Sequence, residues 1–256
     1  ENPNRLTANC DKSFQGSIVL GMGFTFDDSG PADDETPGIP SPIATMERLI
    51  AQNPKNAEVI IPYIGGEEVN SSPTHSHHRY AINFGDKSEE QCRALWPEIL
   101  DIVERKVKPA REETARKSNS AHGARALTWW QHYHQAADLY SAIDGSPEVM
   151  LNSQVSSHIC FAIGAAKRVF ANTVYVYSFQ GRSHLAVCQS SIHLGWALMH
   201  CSTLEDRIRY TPSDCFETFP FPTALLDSHP SDPRDETTRL NLEAIGERYH
   251  QFRAEL

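Results

Sequence analysis

Hydrogen-bonding side chains are concentrated in Asn152-Ser153-Gln154-Val155-Ser156-Ser157-His158. Amides, hydroxyls and an imidazole in close succession can match donor and acceptor patterns on a ligand, and none brings a negative charge. The run lies in a longer window, Val149 to Leu204, whose fifty-six residues include no Asp or Glu. With 33 acids in 256 residues, about seven would be expected there. The window keeps Lys167, Arg168, Arg182 and four histidines. Two readings stand side by side: a surface cleared of negative charge to face a polyanion, or a buried α/β core, which also excludes carboxylates.

Other chemistries are less well supported. His75, His77 and His78 could bind metal, but no carboxylate or cysteine beside them completes a ligand set, so Asn70 to His78 reads as a solvated loop. No GxSxG elbow is present, and Cys188 falls within a helical apolar stripe, which weakens a hydrolase reading. The six cysteines form no CxxC pair and read as reduced, structural thiols. Gly21-Met-Gly-Phe24 lacks GxGxxG spacing, and Asp27-Asp28 follow where a phosphate would have to be received. Trp129-Trp130 could stack on bases, although such a pair more often anchors a core. The basic stretch Lys108 to Ser120 could touch phosphates or simply be a mobile, solvated surface.

A net charge of −10 weighs against an autonomous nucleic-acid binder. The charge is polarised, however: residues 26–48 hold six acids against one base, and residues 226–256 hold seven against four. No segment approaches the roughly eighteen apolar residues of a membrane span, and Glu1-Asn2-Pro3-Asn4-Arg5 lacks signal-peptide character. These features suggest a cytoplasmic protein without a membrane partner.

The elements that would position these side chains alternate between strand and helix. Ser17–Phe24, Glu58–Tyr63 and Arg79–Phe84 read as strands, with Gly65-Gly66 as a turn, and Ile43–Gln52 reads as a helix ending before Asn53-Pro54. Ser88 caps a helix running to about Val107 or Lys108, with a kink at Pro97. A further helix covers Gln131–Tyr140. Within the acid-free window, Val149–Leu151, Ser157–Phe161 and Thr173–Phe179 are strand-like, and Ser183–His200 is one amphipathic helix with Trp196 and Met199 in the core. Phe216, Phe219 and Phe221 pin the chain to the domain. A terminal helix from about Glu236 to Leu256 is amphipathic through Leu240, Leu242, Ile245, Tyr249 and Phe252.

Several short pieces, in order, are similar to one known family: Phe14-Gln-Gly-Ser17 with Gly21-Met-Gly-Phe24, Asn53-Pro54, Ile61-Pro-Tyr63 with Gly65, Ile82-Asn-Phe84, Arg111, Trp129-Trp130, Gln189-Ser-Ser191 with Trp196, and Arg209-Tyr210 through Phe219-Pro-Phe-Pro222. They resemble the target-recognition region of large adenine-specific DNA methyltransferases, including type IIL restriction-modification enzymes of the MmeI kind and related phage-defence methylases. No single piece is specific; their order and spacing are. The resemblance covers about residues 10 to 222, and Asn241-Leu-Glu-Ala-Ile-Gly246 resembles the start of the helical region that follows.

The resemblance implies a mixed α/β (α+β) fold, with a twisted mixed sheet, packed helices and a C-terminal helix. It implies a DNA target-recognition domain over residues 1–222, followed by a linker and the start of a helical region over 223–256. Double-stranded DNA and a methyltransferase domain of the same parent chain are the implied partners. The Asn/Asp-Pro-Pro-Tyr/Phe motif is missing, since Lys55 follows Asn53-Pro54, so no catalysis and no cofactor are expected in this stretch; S-adenosylmethionine would belong to the parent's catalytic domain. The implied base readers are Gln154, Ser156, Ser157 and His158, with Lys167, Arg168 and Arg182 on phosphate or guanine. One departure is that Ile159 and Cys160 stand where related modules often carry paired charged residues. A protein-interaction module docking through its terminal helix and an unrecognised hydrolase are the alternatives.

Overall fold

The computed structural model describes residues 9–117, 125–179, 181–226 and 232–255. The amino-terminal reading, the end of the basic stretch (118–120) and the middle of the linker (227–231) lie outside them. The first half of the chain comprises β1 (Ser13–Gln15), β2 (Thr25–Phe26), α1 (Ile43–Gln52), β3 (Ile60–Ile64), α2 (Gly66–Ser71), β4 (Arg79–Ile82), α3 (Glu89–Leu95), α4 (Pro97–Lys106) and α5 (Lys108–Lys117). The second comprises α6 (Ala137–Ala142), β5 (Glu148–Ser153), β6 (Val155–Ser156), β7 (Phe161–Ala165), β8 (Val169–Phe170), β9 (Val174–Tyr177), α7 (Ser183–Cys188), α8 (Ser191–His200), β10 (Ser202–Leu204), β11 (Arg207–Arg209), α9 (Pro212–Cys215) and α10 (Pro233–Ala254).

The strands form three sheets ordered β1-β9-β5-β7, β2-β4-β3-β8 and β10-β11-β6. All pairings are antiparallel except β3 with β8. The mixed α/β class expected from the sequence is therefore present, with its strands shared among three sheets.

β5 is central because it is buried on both faces. Its side chains alternate in direction, so Val149 and Leu151 enter the core shared with α2 and α6, while Met150 enters the one shared with α7 and Phe216. β9 divides in the same way, Val174 and Val176 on one side and Tyr175 and Tyr177 on the other. Burial on both faces produces a nearly continuous apolar run, which accounts for much of the missing acid. Asn152 and Ser153 are buried too, with Asn152 Oδ1 accepting from the Tyr177 hydroxyl at 2.9 Å.

A separate core lies between the β2-β4-β3-β8 sheet and α1, α3 and α4. α1 has the expected boundaries. Ser88 caps α3 through a reciprocal pair: its hydroxyl accepts from the Gln91 amide at 3.3 Å, and the Gln91 side chain accepts from the Ser88 amide at 2.9 Å.

Several elements differ from the sequence reading. Ser17–Phe24 is not a strand. Close packing leaves no space for a Cβ at Gly16, which would sit 2.2 Å from the Ala171 carbonyl, and the chain turns through Leu20 and Gly21 at φ 49° and 121°. Gly65-Gly66 opens α2, where the Glu68 carboxylate accepts from the Gly65 amide at 2.8 Å. Pro97 starts a new helix after a break at Trp96, because its missing N–H costs nothing at a helix start. Residues 108–117 are helical, and Arg111 is buried, donating to the carbonyls of Trp129 and Gln131. Residues 131–136 are irregular, with Ala136 left-handed at φ 51°, and helix starts only at Ala137. The strand placed at Ser157–Phe161 occupies Phe161–Ala165 instead. Ser183–His200 is two helices, with Ser190 capping the second through the His193 amide at 3.2 Å; Met199 and Ile192 are 76% and 75% exposed, although Trp196 packs inward. Phe216, Phe219 and Phe221 are buried as expected, as is Trp129. In α10 the inward seam is Leu242, Gly246 and Tyr249, while Leu240, Ile245 and Phe252 are exposed.

Candidate nucleic-acid interface

β5 ends at Ser153, and the chain turns through Gln154 directly into β6. The Gln154 backbone is held from both sides: its N–H donates to Thr173 at 2.8 Å and its carbonyl accepts from Tyr210 at 2.9 Å. Its side-chain amide donates to the Tyr175 hydroxyl at 3.1 Å. Gln154 thus lies half-buried at the mouth of a polar cleft of about 470 Å³, lined among others by Asn70, Arg79, Asn172 and Arg207.

The cleft floor is rigid. Glu68 is buried and receives Arg79 through two bonds, at 2.6 and 2.9 Å. Burial alone would raise the Glu68 carboxyl, but the Arg79 guanidinium and local backbone amides outweigh it and hold it below the ordinary carboxylate value. Arg79 also covers the Tyr63 ring at 4.9 Å. Asn70 donates to the Ser153 hydroxyl and the Val155 carbonyl, at 3.2 and 3.1 Å. Gly66 has no room for a side chain, since a Cβ there would lie 2.8 Å from Ser153 Oγ.

Beyond the cleft, β10 is exposed throughout and β11 at Arg207 and Arg209, while β6 is half-buried. Register pairs Ile208 with Ser156 and Arg209 with Val155. Ser156 therefore faces one side of the sheet with Ile208 and Thr203, while Arg207 and Arg209 face the other with Val155. Arg207 is paired with Glu205 at 2.7 Å, and both groups are solvent-accessible. Arg209 is exposed, with no ion pair to any described residue. Ser157 and His158 follow β6 in an exposed loop, where the His158 amide donates to the Ser156 hydroxyl at 3.3 Å.

The seven residues singled out from the sequence fall into two places. Gln154, Ser156, Ser157 and His158 gather at the Ser153 end of β5, beside the cleft and the exposed sheet. Lys167, Arg168 and Arg182 lie toward the other end, because β7 runs antiparallel and pairs Ala165 with Glu148. Five residues of strand separate the ends by roughly 17 Å. Lys167 is exposed, whereas Arg168 donates to the His75 carbonyl at 2.7 Å. Arg182 is largely buried, bridging Glu148 at 2.8 Å and Glu247 at 3.1 Å. The residues that sequence reasoning did not select are Arg207 and Arg209. Their available signal was a period-two Arg-Ile-Arg after the polar pair Glu205-Asp206.

His75 is not a solvated histidine. It is buried, and burial, reinforced by nearby Arg253, holds its imidazole down at about 4. Among the described residues no group of His, Cys, Asp and Glu could hold a metal ion. Gly16 and Gly23 are packed against backbone and the Lys106 side chain, so neither opens onto a cradle for a ligand.

A solved structure shares this architecture: the type IIL restriction-modification enzyme MmeI, determined in complex with DNA, matches with a TM-score of 0.61 at 15% identity, over 95% of this chain and 32% of the other. The chain thus spans about a third of the length of that protein, with the fold of a segment of a restriction-modification enzyme. The family is given by a sequence model: that of the MmeI target recognition domain matches residues 42–223, and the chain belongs to this family. No curated protein matches.

Proposed function

We propose that this chain selects the DNA sequence on which a restriction-modification enzyme acts, presenting the β10-β11-β6 sheet and the Ser157–Cys160 loop to the major groove. The observation that carries this reading is that Gln154, Ser156, Ser157 and His158 lie at the same end of β5 as Arg207 and Arg209, with the two arginines on the sheet face opposite Ser156, in a chain of the MmeI target-recognition family. An amide, two hydroxyls and an imidazole can match base edges, and the arginines can contact phosphate or guanine. Lys167, exposed just beyond the end of β7 and away from this cluster, is a separate phosphate contact. Arg168 and Arg182 support the fold instead, since each is already engaged by protein groups.

The chemistry belongs to the parent enzyme, an S-adenosylmethionine-dependent adenine DNA methyltransferase whose catalytic domain lies elsewhere in its chain. The reading is supported by the family and by the absence here of an adenine-holding motif. Titrating the parent enzyme against cognate and random duplexes across a salt series tests it. Specific binding should exceed random binding, with affinity falling steeply as salt rises. Equal affinity for both duplexes would overturn it.

A further inference from the structure

The hairpin that carries Arg207 and Arg209 is bracketed by two cysteines. Cys201 caps α8 directly before β10, and Cys215 ends α9 shortly after β11. Their sulfurs are 2.7 Å apart, within an ångström of the ~2.04 Å of an S–S bond. Cys215 is fully buried among aromatic side chains, whereas Cys201 is only half-buried and open to a small reagent. The contact makes the two sulfurs unequal: the hydrogen bond with Cys215 lowers the Cys201 thiol, and the same bond, together with burial, raises Cys215. By contrast, burial raises the Cys92 thiol to about 11 and pushes that of Cys188 up as well.

We propose that Cys201 and Cys215 form a reversible disulfide that clamps the base of the β10–β11 hairpin, with a hydroperoxide as the oxidant. The Cys201 thiolate attacks the terminal oxygen of the hydroperoxide, breaking the O–O bond; the departing alkoxide takes a proton and leaves as an alcohol, or as water when the oxidant is hydrogen peroxide. The Cys215 sulfur then attacks the Cys201 sulfenic sulfur, and the expelled hydroxide takes the Cys215 proton as a second water. Two thiols have lost two electrons, and one O–O bond has been reduced. A dithiol reverses the step by exchange. Oxidation restricts the strands that place Arg207 and Arg209, and the consequence for DNA rests on the function proposed above.

The test is a hydrogen peroxide titration of the full chain, followed by alkylation and non-reducing peptide mass spectrometry. The expected product joins the peptides containing Cys201 and Cys215 with the loss of two hydrogens, and dithiothreitol restores both thiols. C215S should instead trap a sulfenic acid at Cys201, and C201S should leave Cys215 reduced. Native trypsin cleavage after Arg207 and Arg209 should be several-fold slower in the oxidised chain than in the reduced one. Alkylation at both Cys201 and Cys215 after treatment, or a cross-link of either to another cysteine, would overturn the proposal, as would unchanged cleavage. These readouts need no DNA, so their failure is distinguishable from failure of the recognition reading, which would appear as an R209A enzyme with unaltered DNA binding.

Discussion

His158 and Arg209 are exposed side chains to which the proposed function gives different tasks, so their loss should be felt differently. His158→Ala removes a group able to match one base edge, and should relax discrimination at one position of the recognised sequence by about 1–3 kcal/mol; methylome sequencing of the variant enzyme reads this directly. Arg209→Ala should instead weaken binding to all duplexes and reduce the salt slope by about one. Arg182→Ala, in the buried bridge to Glu148 and Glu247, should lower the unfolding midpoint and leave the recognised sequence unchanged. Buried histidines set a pH dependence. His75, His132 and His193 are held at about 4 against an ordinary 6.5, with burial the largest cause in each. Below pH 6.5 the unfolded chain therefore takes up protons that the folded chain refuses. Stability should be complete above pH 6.5 and fall as pH drops toward 4, by about 1.4 kcal/mol per pH unit for each such histidine. A denaturation midpoint that stays constant from pH 7 to pH 4.5 would contradict this assignment.

At the level of elements, the clearest constraint is the seat of α10. Gly246 faces Arg182 so closely that a Cβ would sit 2.0 Å from its carbonyl oxygen. The Glu243 carboxylate, on the same helix, accepts from the amides of Arg182 and Ser183, both at 2.8 Å. Alanine is the better helix former by about 1 kcal/mol, yet Gly246→Ala should lower the melting temperature because backbone cannot yield to the methyl group. A Gly246→Ala chain of equal or higher melting temperature would show that α10 is not seated there. The helix boundaries follow local chemistry: Ser88 and Ser190 each start a helix, and Pro97 opens one. A helical period cannot by itself show whether a stripe is continuous, so Ser183–His200 read as one helix until Gln189-Ser190 broke it. On α8 both Ile192 and Met199 are exposed, whereas the periodicity places Met199 in the core.

For the molecule as a whole, the net charge of −10 and the exposed basic edge pull in opposite directions. Few phosphate contacts are available here, so the chain alone should bind random duplex DNA more weakly, and with a shallower salt slope, than the methyltransferase proposed as its parent. Fluorescence anisotropy of both proteins at several salt concentrations checks this; equal slopes would mean that this chain supplies all the phosphate contacts. The acid-free window gains its explanation at the same scale. Two-sided burial of β5, β7 and β9 removes carboxylates from the strands within it, and the proposed function accounts for their absence from Gln154 to Cys160.

Local chemistry in the sequence was sufficient for α1, for the Ser88 cap, for the strands at β3, β4 and β9, and for the family, because caps, periodicity and short spaced pieces are properties of neighbouring residues. The polarity of the stretch from Gln154 to His158 is a property of neighbouring residues in the same way. The tertiary structure decided which cations accompany them. Antiparallel pairing of β5 with β7 carries Lys167 and Arg168 toward one end of the strand, and Glu148 and Glu247 capture Arg182 there. The pairing of β11 with β6 brings Arg207 and Arg209 to the other end across some fifty residues of chain. Strand register is set by long-range packing, and a list of side chains in order does not contain it.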